Sequence, residues 1–235
     1  MSQPQRILTP NGLEVPPDFP YEAYDAIYSR THPNSQEAFD VALRSEFGRA
    51  WNAVAHRFIA AAHYSDSFKE AALRDGIGTT PAIQHVEERA LFGFFANAIS
   101  SFDAAHYGLY VIGAFLSPLY FCLIGLGQQQ KADRASTRHA YQKHFPGDPI
   151  VSALNEVRTN AAFNRLRETR NVLAHRALLP RRYRMKVGSG ASQQPTEWLP
   201  GITLTENLLT PYRADLARLL GQVLDATGAF VFQHF

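Results

Sequence analysis

Thr80-Pro81-Ala82-Ile83-Gln84-His85-Val86-Glu87-Glu88-Arg89-Ala90-Leu91-Phe92-Gly93-Phe94-Phe95 opens the stretch on which the fold turns. Thr80 before Pro81 marks a helix start, because proline at the first helical position gives up only an N–H that has no intrahelical partner there. From that start Val86, Leu91, Phe94, Phe95, Ile99 and Phe102 recur at three-to-four spacing. The spacing predicts a long helix with one apolar side, running to about Leu116. The preceding segment, Gln36 to Asp75, repeats the pattern through Phe39, Leu43, Phe47, Trp51, Val54 and Phe58. A cap near Asn34-Ser35 starts it and Gly76 and Gly78 end it. Two helices of this length joined by a short turn are expected to pack antiparallel.

Working outward, shorter helices are expected at Pro118 to Ile124, Ala132 to Phe145 and Pro149 to Val157. A helix within Asn155 to Leu179 follows, and Leu208 to Phe235 is the last, with Leu216, Leu219, Leu220, Val223 and Leu224 as its seam. The fold class is therefore all-α. Residues 1–35 are read as a proline-rich N-terminal arm, with Pro4, Pro10, Pro16, Pro17 and Pro20 in its first twenty positions. Residues 36–80 form an accessory helix region, and 81–235 a helical bundle with an irregular loop at 180–205. A short hairpin pairing Tyr183 to Val187 with Glu197 to Leu204 is expected in that loop. No internal repeat is present, which excludes a solenoid.

The chain has 235 residues and one cysteine, Cys122. That length suits a single packed core, and a lone thiol rules out an internal disulfide framework. The opening residues lack the basic and apolar regions of a signal peptide, so the expected location is cytoplasmic. Between Asp103 and Lys131 no Asp, Glu, Lys or Arg occurs, which raises a membrane span as a reading. Ser117-Pro118 breaks the run at its middle, and the expectation is a buried bundle core with no membrane insertion.

Net charge is +2, unevenly placed. Residues 131–186 carry thirteen Lys or Arg against four Asp or Glu, a net +9; the remainder carries ten against seventeen, a net −7. A basic half of this kind suits a polyanion such as RNA, and is equally the composition of a solvated helix face. Several classes have no support: the chain lacks a Gly-x-x-x-x-Gly-Lys loop, a Gly-x-Gly-x-x-Gly turn and a Gly-x-Ser-x-Gly elbow. His56, His63, His85, Glu87 and Glu88 do not form paired metal-ligand spacings, so no metal and no cofactor is expected.

Arg170-Asn171-Val172-Leu173-Ala174-His175 carries the candidate chemistry. Asn171 and His175 are four apart and share a helix face, while Arg170 lies roughly 100° around the axis from Asn171 with a long side chain. A guanidinium holds a phosphodiester in two-pronged fashion and imidazole titrates near neutral pH, so the three together suit metal-free RNA cleavage in one groove. Asn164, Glu168, Asn171 and His175 form a polar stripe that faces away from the core. Arg167 and Glu168 are supporting candidates beside the motif. Asn97, Ser100, Ser101, Asp103 and His106 form a polar cluster on the apolar second helix. Read from the residues, it is an internal hydrogen-bond network joining helices.

The Arg170, Asn171 and His175 pattern resembles the signature of the HEPN superfamily: an arginine, a polar residue, then a histidine four to six positions after the arginine, in a late helix of an α-bundle. The resemblance covers residues 81–235, and it implies a polar or acidic residue on an earlier helix beside the Arg/His groove, for which Asp103 is the candidate, orienting His175 or holding Arg170 in place. It implies a metal-independent endoribonuclease of a toxin–antitoxin, phage-defence or RNA-processing system, leaving 2′,3′-cyclic phosphate ends, with Arg170, Asn171 and His175 as catalytic residues. It also implies a homodimer in which two motifs face each other, and an antitoxin or nucleotidyltransferase as partner. Some members are non-catalytic and bind RNA, nucleotide or protein, which is the alternative expectation. Arg176, Arg181, Arg182, Tyr183 and Arg184 interleave charge and an aromatic ring beside the motif and are candidate RNA contacts, or else part of a plain connector.

Overall fold

The computed structural model describes residues 7–31, 38–78, 80–123, 125–175, 181, 196–199 and 202–235. The fold is all-α, with two small hairpins among the described residues. At the start β1 (Ile7–Leu8) pairs antiparallel with β2 (Glu14–Val15), and Gly12 supplies the positive φ of 78° that the turn needs. α1 (Tyr21–Thr31) follows, within the residues expected as an arm. Its buried positions Tyr24, Ile27 and Thr31 keep helical spacing, and Trp51 donates its indole N–H to the Tyr24 carbonyl at 3.0 Å.

α2 (Ala38–Asp75) and α3 (Pro81–Leu116) form the spine. Thr80 caps α3 and Pro81 stands in its first turn, as the sequence predicts; the cap expected at Asn34-Ser35 lies outside the described residues. The two helices run antiparallel. Glu46 accepts from the Tyr107 hydroxyl at 2.7 Å, Trp51 lies over Gly108, Arg57 donates to Asn97 at 3.4 Å, and Tyr64 covers Gly93. Glycine is required at the two covered sites: a Cβ would come within 2.8 Å of Trp51 at Gly108 and 2.6 Å of Tyr64 at Gly93.

The uncharged run does not continue as helix after Leu116. Residues 117–123, expected to hold a short helix, form a turn in which the Tyr120 and Phe121 amides donate to the Ser117 carbonyl. Phe121 drops into the core against Gly113, Tyr110 and Tyr141, while Leu119 is 89% exposed. That inward pull ends the segment before helix can propagate. No helix among the described residues is long and apolar enough to cross a membrane.

α4 (Leu126–Gln129) is a single turn. α5 (Arg134–His144) begins at a capping box in which Asp133 accepts from the Ser136 amide at 2.8 Å and Ser136 accepts from the Asp133 amide at 2.9 Å. α6 (Pro149–Thr159) is capped by Asp148. α7 (Ala161–His175) starts after a break at Asn160, whose side chain accepts from the Ala162 amide at 2.9 Å. The single helix sought within Asn155 to Leu179 is thus divided: Asn155 to Thr159 close α6. β3 (Thr196–Leu199) pairs antiparallel with β4 (Ile202–Leu204); Tyr183 to Val187, expected to pair with Glu197 to Leu204, lie outside the described residues. α8 (Leu209–His234) closes the bundle and shares with α1, α2, α3, α6 and α7 a core continuous from Val15 to Val231.

Candidate functional site: an arginine-lined cleft

α3, α5, α6 and α7 enclose a cleft of about 470 Å³. Five arginines line it: Arg134 and Arg138 from successive turns of α5, Arg158 from the last turn of α6, and Arg167 and Arg170 from one face of α7. Asp103 and Asp133 are the acids in the lining, and Leu154, Val157 and Phe163 give it an apolar wall. Five permanent positive charges against two carboxylates leave a local excess of three.

The acids are already committed. Asp103 pairs with Arg134 at 2.8 Å, and Arg134 lies over the Phe163 ring at 5.2 Å from its centroid. Partial burial raises the Asp103 carboxyl above its ordinary range, against the opposing pull of Arg134 and Arg170. Asp133 is held by its cap, and hydrogen bonding from Ser136 keeps its pKa below the usual value. Arg138 donates one Nη1 hydrogen bond to Asn155 at 3.3 Å, but its Nε is buried with no partner among the described residues. Arg158, Arg167 and Arg170 show no ion pair to a described carboxylate, and the charge of Arg170 acts on Asp103 at longer range.

His106 is a neutral part of the wall. Complete burial lowers its pKa to about 4, and its Nδ1–H donates to the Phe102 carbonyl at 2.7 Å. Two members of the polar cluster around it reach other helices: Asn97 accepts from Arg57 of α2 at 3.4 Å and Asp103 pairs with Arg134 of α5 at 2.8 Å. The donors of Asn97 and Ser101 are spent on α3 itself, on the Gly93 carbonyl at 2.8 Å and that of Ala98 at 2.7 Å. Side chains of α5 add two more bonds to α3: Thr137 donates to the His106 carbonyl at 3.2 Å and Tyr141 to that of Leu109 at 2.8 Å.

Of the motif residues, Arg170 is half-buried in the cleft, while Asn171 and His175 are exposed and do not line it. The cause is helical geometry, since a five-residue separation rotates His175 by roughly 140° from Arg170. A single chain therefore does not gather all three into one groove. Glu168 is exposed with Asn171 and His175, whereas Arg167 joins Arg170 inside. Asp103 faces Arg134 and the field of Arg170, not His175.

Arg181 is a correction to the RNA-contact set. It is buried, ion-paired with Glu87 and with Glu88, the latter at 2.9 Å, and Trp198 donates to the same Glu88 at 3.1 Å. With its side chain 4% exposed and held by two carboxylates, this guanidinium presents almost no surface to a phosphate. Arg176, Arg182, Tyr183 and Arg184 lie outside the described residues. His56, His63 and His85 are exposed, and no metal-binding group of three or more side chains occurs among the described residues. Arg134, Arg138 and Arg158 were counted in the basic segment without being singled out. Their four-residue spacing on α5 was legible, but the approach of α6 and α7 was not.

Compared with protein-family models, curated proteins and solved structures, the chain matches none. Fold and site together define the class: an all-α bundle with a cationic cleft bordered by an exposed Asn171/His175 face.

Proposed function

We propose that this chain is a metal-independent endoribonuclease of the HEPN type, acting as a homodimer in the cytoplasm. The observation that carries the reading is the junction on α7, where Arg170 turns into an arginine-lined cleft and His175 stands exposed on the adjoining face. Phosphate held by Arg170 and its neighbours lies beside a group able to move protons at neutral pH. His175 of one copy takes the proton from the 2′-hydroxyl as that oxygen attacks phosphorus. The P–O5′ bond breaks, His175 of the second copy protonates the leaving oxygen, and a 2′,3′-cyclic phosphate and a free 5′-hydroxyl result. Arg170 neutralises the charge that grows on the non-bridging oxygens, and Asn171 positions the phosphate. A toxin or phage-defence role, with an antitoxin or nucleotidyltransferase partner, fits this activity.

The test is RNA cleavage by the purified chain in the presence of chelator. His175→Ala lowers the rate by about 10²- to 10⁴-fold while changing stability by under about 0.5 kcal/mol, as expected for loss of an exposed proton-transfer group. Arg170→Ala does nearly the same, and Arg170→Lys stays poor because the two-pronged grip is lost. Full cleavage by His175→Ala, or its loss on chelation, overturns the assignment. A second reading, a non-catalytic module binding RNA, nucleotide or a protein partner, is favoured by the absence of His175 from the cleft lining. It predicts binding that needs Arg170 and is indifferent to His175.

A further inference from the structure

We propose that the groove between α2, the end of α3 and the 117–123 turn binds a single-chain fatty acid, with the alkyl tail in the groove and the carboxylate on Arg49. The groove shares no lining residue with the arginine cleft, and the proposal is independent of RNA cleavage. It starts from the uncharged run. Residues 104–130 hold no Asp, Glu, Lys or Arg, and burial accounts for the part of the run on α3. Burial does not account for the turn, where Leu119 is 89% and Tyr120 55% exposed. Beside Leu119 opens a groove of about 580 Å³, within the size range of small-molecule sites. Exposed apolar side chains at the edge of such a concavity mark a place where apolar surface is to be covered.

The lining selects the ligand. Its walls are Leu43, Ala114, Pro118, Leu119 and Leu123, with Phe121 as the one ring, so a flexible alkyl chain can follow them and leave water. Glu46 and Arg49 are the charged residues in the lining, and they are unequally available. The Glu46 side chain is 15% exposed and already accepts from the Tyr107 hydroxyl at 2.7 Å and from Arg49. The Arg49 side chain is 71% exposed, and among the described residues it meets Glu46 through Nη2 alone. Its Nε and Nη1 donors remain for a carboxylate at the mouth, where a guanidinium fork grips two oxygens at once. The charge open to a ligand is therefore positive, and it calls for an anionic head on an apolar body.

The test is calorimetric titration of the whole chain at neutral pH with octanoate, decanoate, decanol and decylamine, each below the concentration at which it forms micelles. Decanoate is expected to bind at least tenfold tighter than decanol, and decylamine to give no heat. Decanoate should also exceed octanoate, by about fourfold for each further methylene taken out of water. Arg49→Gln is expected to bring decanoate down to the affinity of decanol while leaving decanol unchanged. Ser45 is an exposed residue of the lining, so Ser45→Trp fills the groove from the surface and is expected to abolish decanoate binding with an unchanged thermal midpoint. No decanoate binding, equal binding of decanoate and decanol, equal binding of octanoate and decanoate, or decanoate undiminished in either variant overturns the proposal. Self-association that Ser45→Trp abolishes, with no heat from decanoate, overturns it as well and gives the groove to a second copy of the chain.

Discussion

Glu87 has no exposed side-chain surface and Arg181 retains only 4%, so the ion pair between them is sealed from water. Glu87 also accepts from the Gly78 amide at 3.0 Å, and Glu88 accepts from Trp198, which ties the turn before α3 and the β3–β4 hairpin to one charged centre. Removing one partner of such a pair leaves a buried charge uncompensated. Arg181→Met is expected to destabilise the fold by about 3–5 kcal/mol and to shift Trp198 emission to the red. A variant as stable as the parent would return Arg181 to the candidate RNA contacts. His106 gives a second residue-scale outcome. Its folded pKa of about 4 lies below the unfolded value near 6.5, so the unfolded chain takes up a proton first as pH falls. Stability from neutral His106 is present above about pH 6.5 and drains away toward pH 4, by an amount on the order of 3 kcal/mol. Denaturant unfolding of the parent and His106→Leu at pH 7 and pH 4.5 checks this: the parent should lose more. Equal losses would show that His106 is not buried neutral.

The elements were legible where apolar spacing and punctuation agreed, and hidden where one of them was silent. Thr80-Pro81, the Val86 to Phe102 stripe and the Leu216 to Leu224 seam announced α3 and α8 because both signals coincide there. α1 was hidden by the prolines before it, although Tyr24, Ile27 and Thr31 carry helical spacing. The turn at 117–123 was misread because Ser-Pro is a helix-start signal, and the competing pull of Phe121 into the core is a tertiary effect. The α6–α7 break has neither glycine nor proline. Its signal is Asn160, a residue that caps helices by accepting from an amide two positions on, as it does from Ala162. Asn160→Ala is therefore expected to cost about 1 kcal/mol in urea unfolding. A cost near zero would mean that packing of α6 and α7, not the cap, sets the break.

At the scale of the molecule, the α2–α3 spine and α8 leave α7 with its Leu166 side in the core, its Arg167 and Arg170 side in the cleft, and its Glu168, Asn171 and His175 side in solvent. The site was half legible in the sequence: the motif names one arginine of the cleft, but the other helices that complete it converge only in three dimensions. The exposed third of α7 is what a two-fold interface can use, because an isologous contact presents the same residues from both copies. If acid and base are the two His175 side chains of one dimer, a mixed dimer with one His175→Ala chain lacks half of its proton-transfer pair. Equal amounts of parent and His175→Ala, allowed to exchange subunits, give roughly one parental homodimer in four dimers. Cleavage per parental chain should then fall to about half of that before mixing, and sedimentation should give a dimer for both. Activity that follows the parental fraction linearly, or a monomer that cleaves, would show that each chain works alone and that both steps of proton transfer must be found within one protomer.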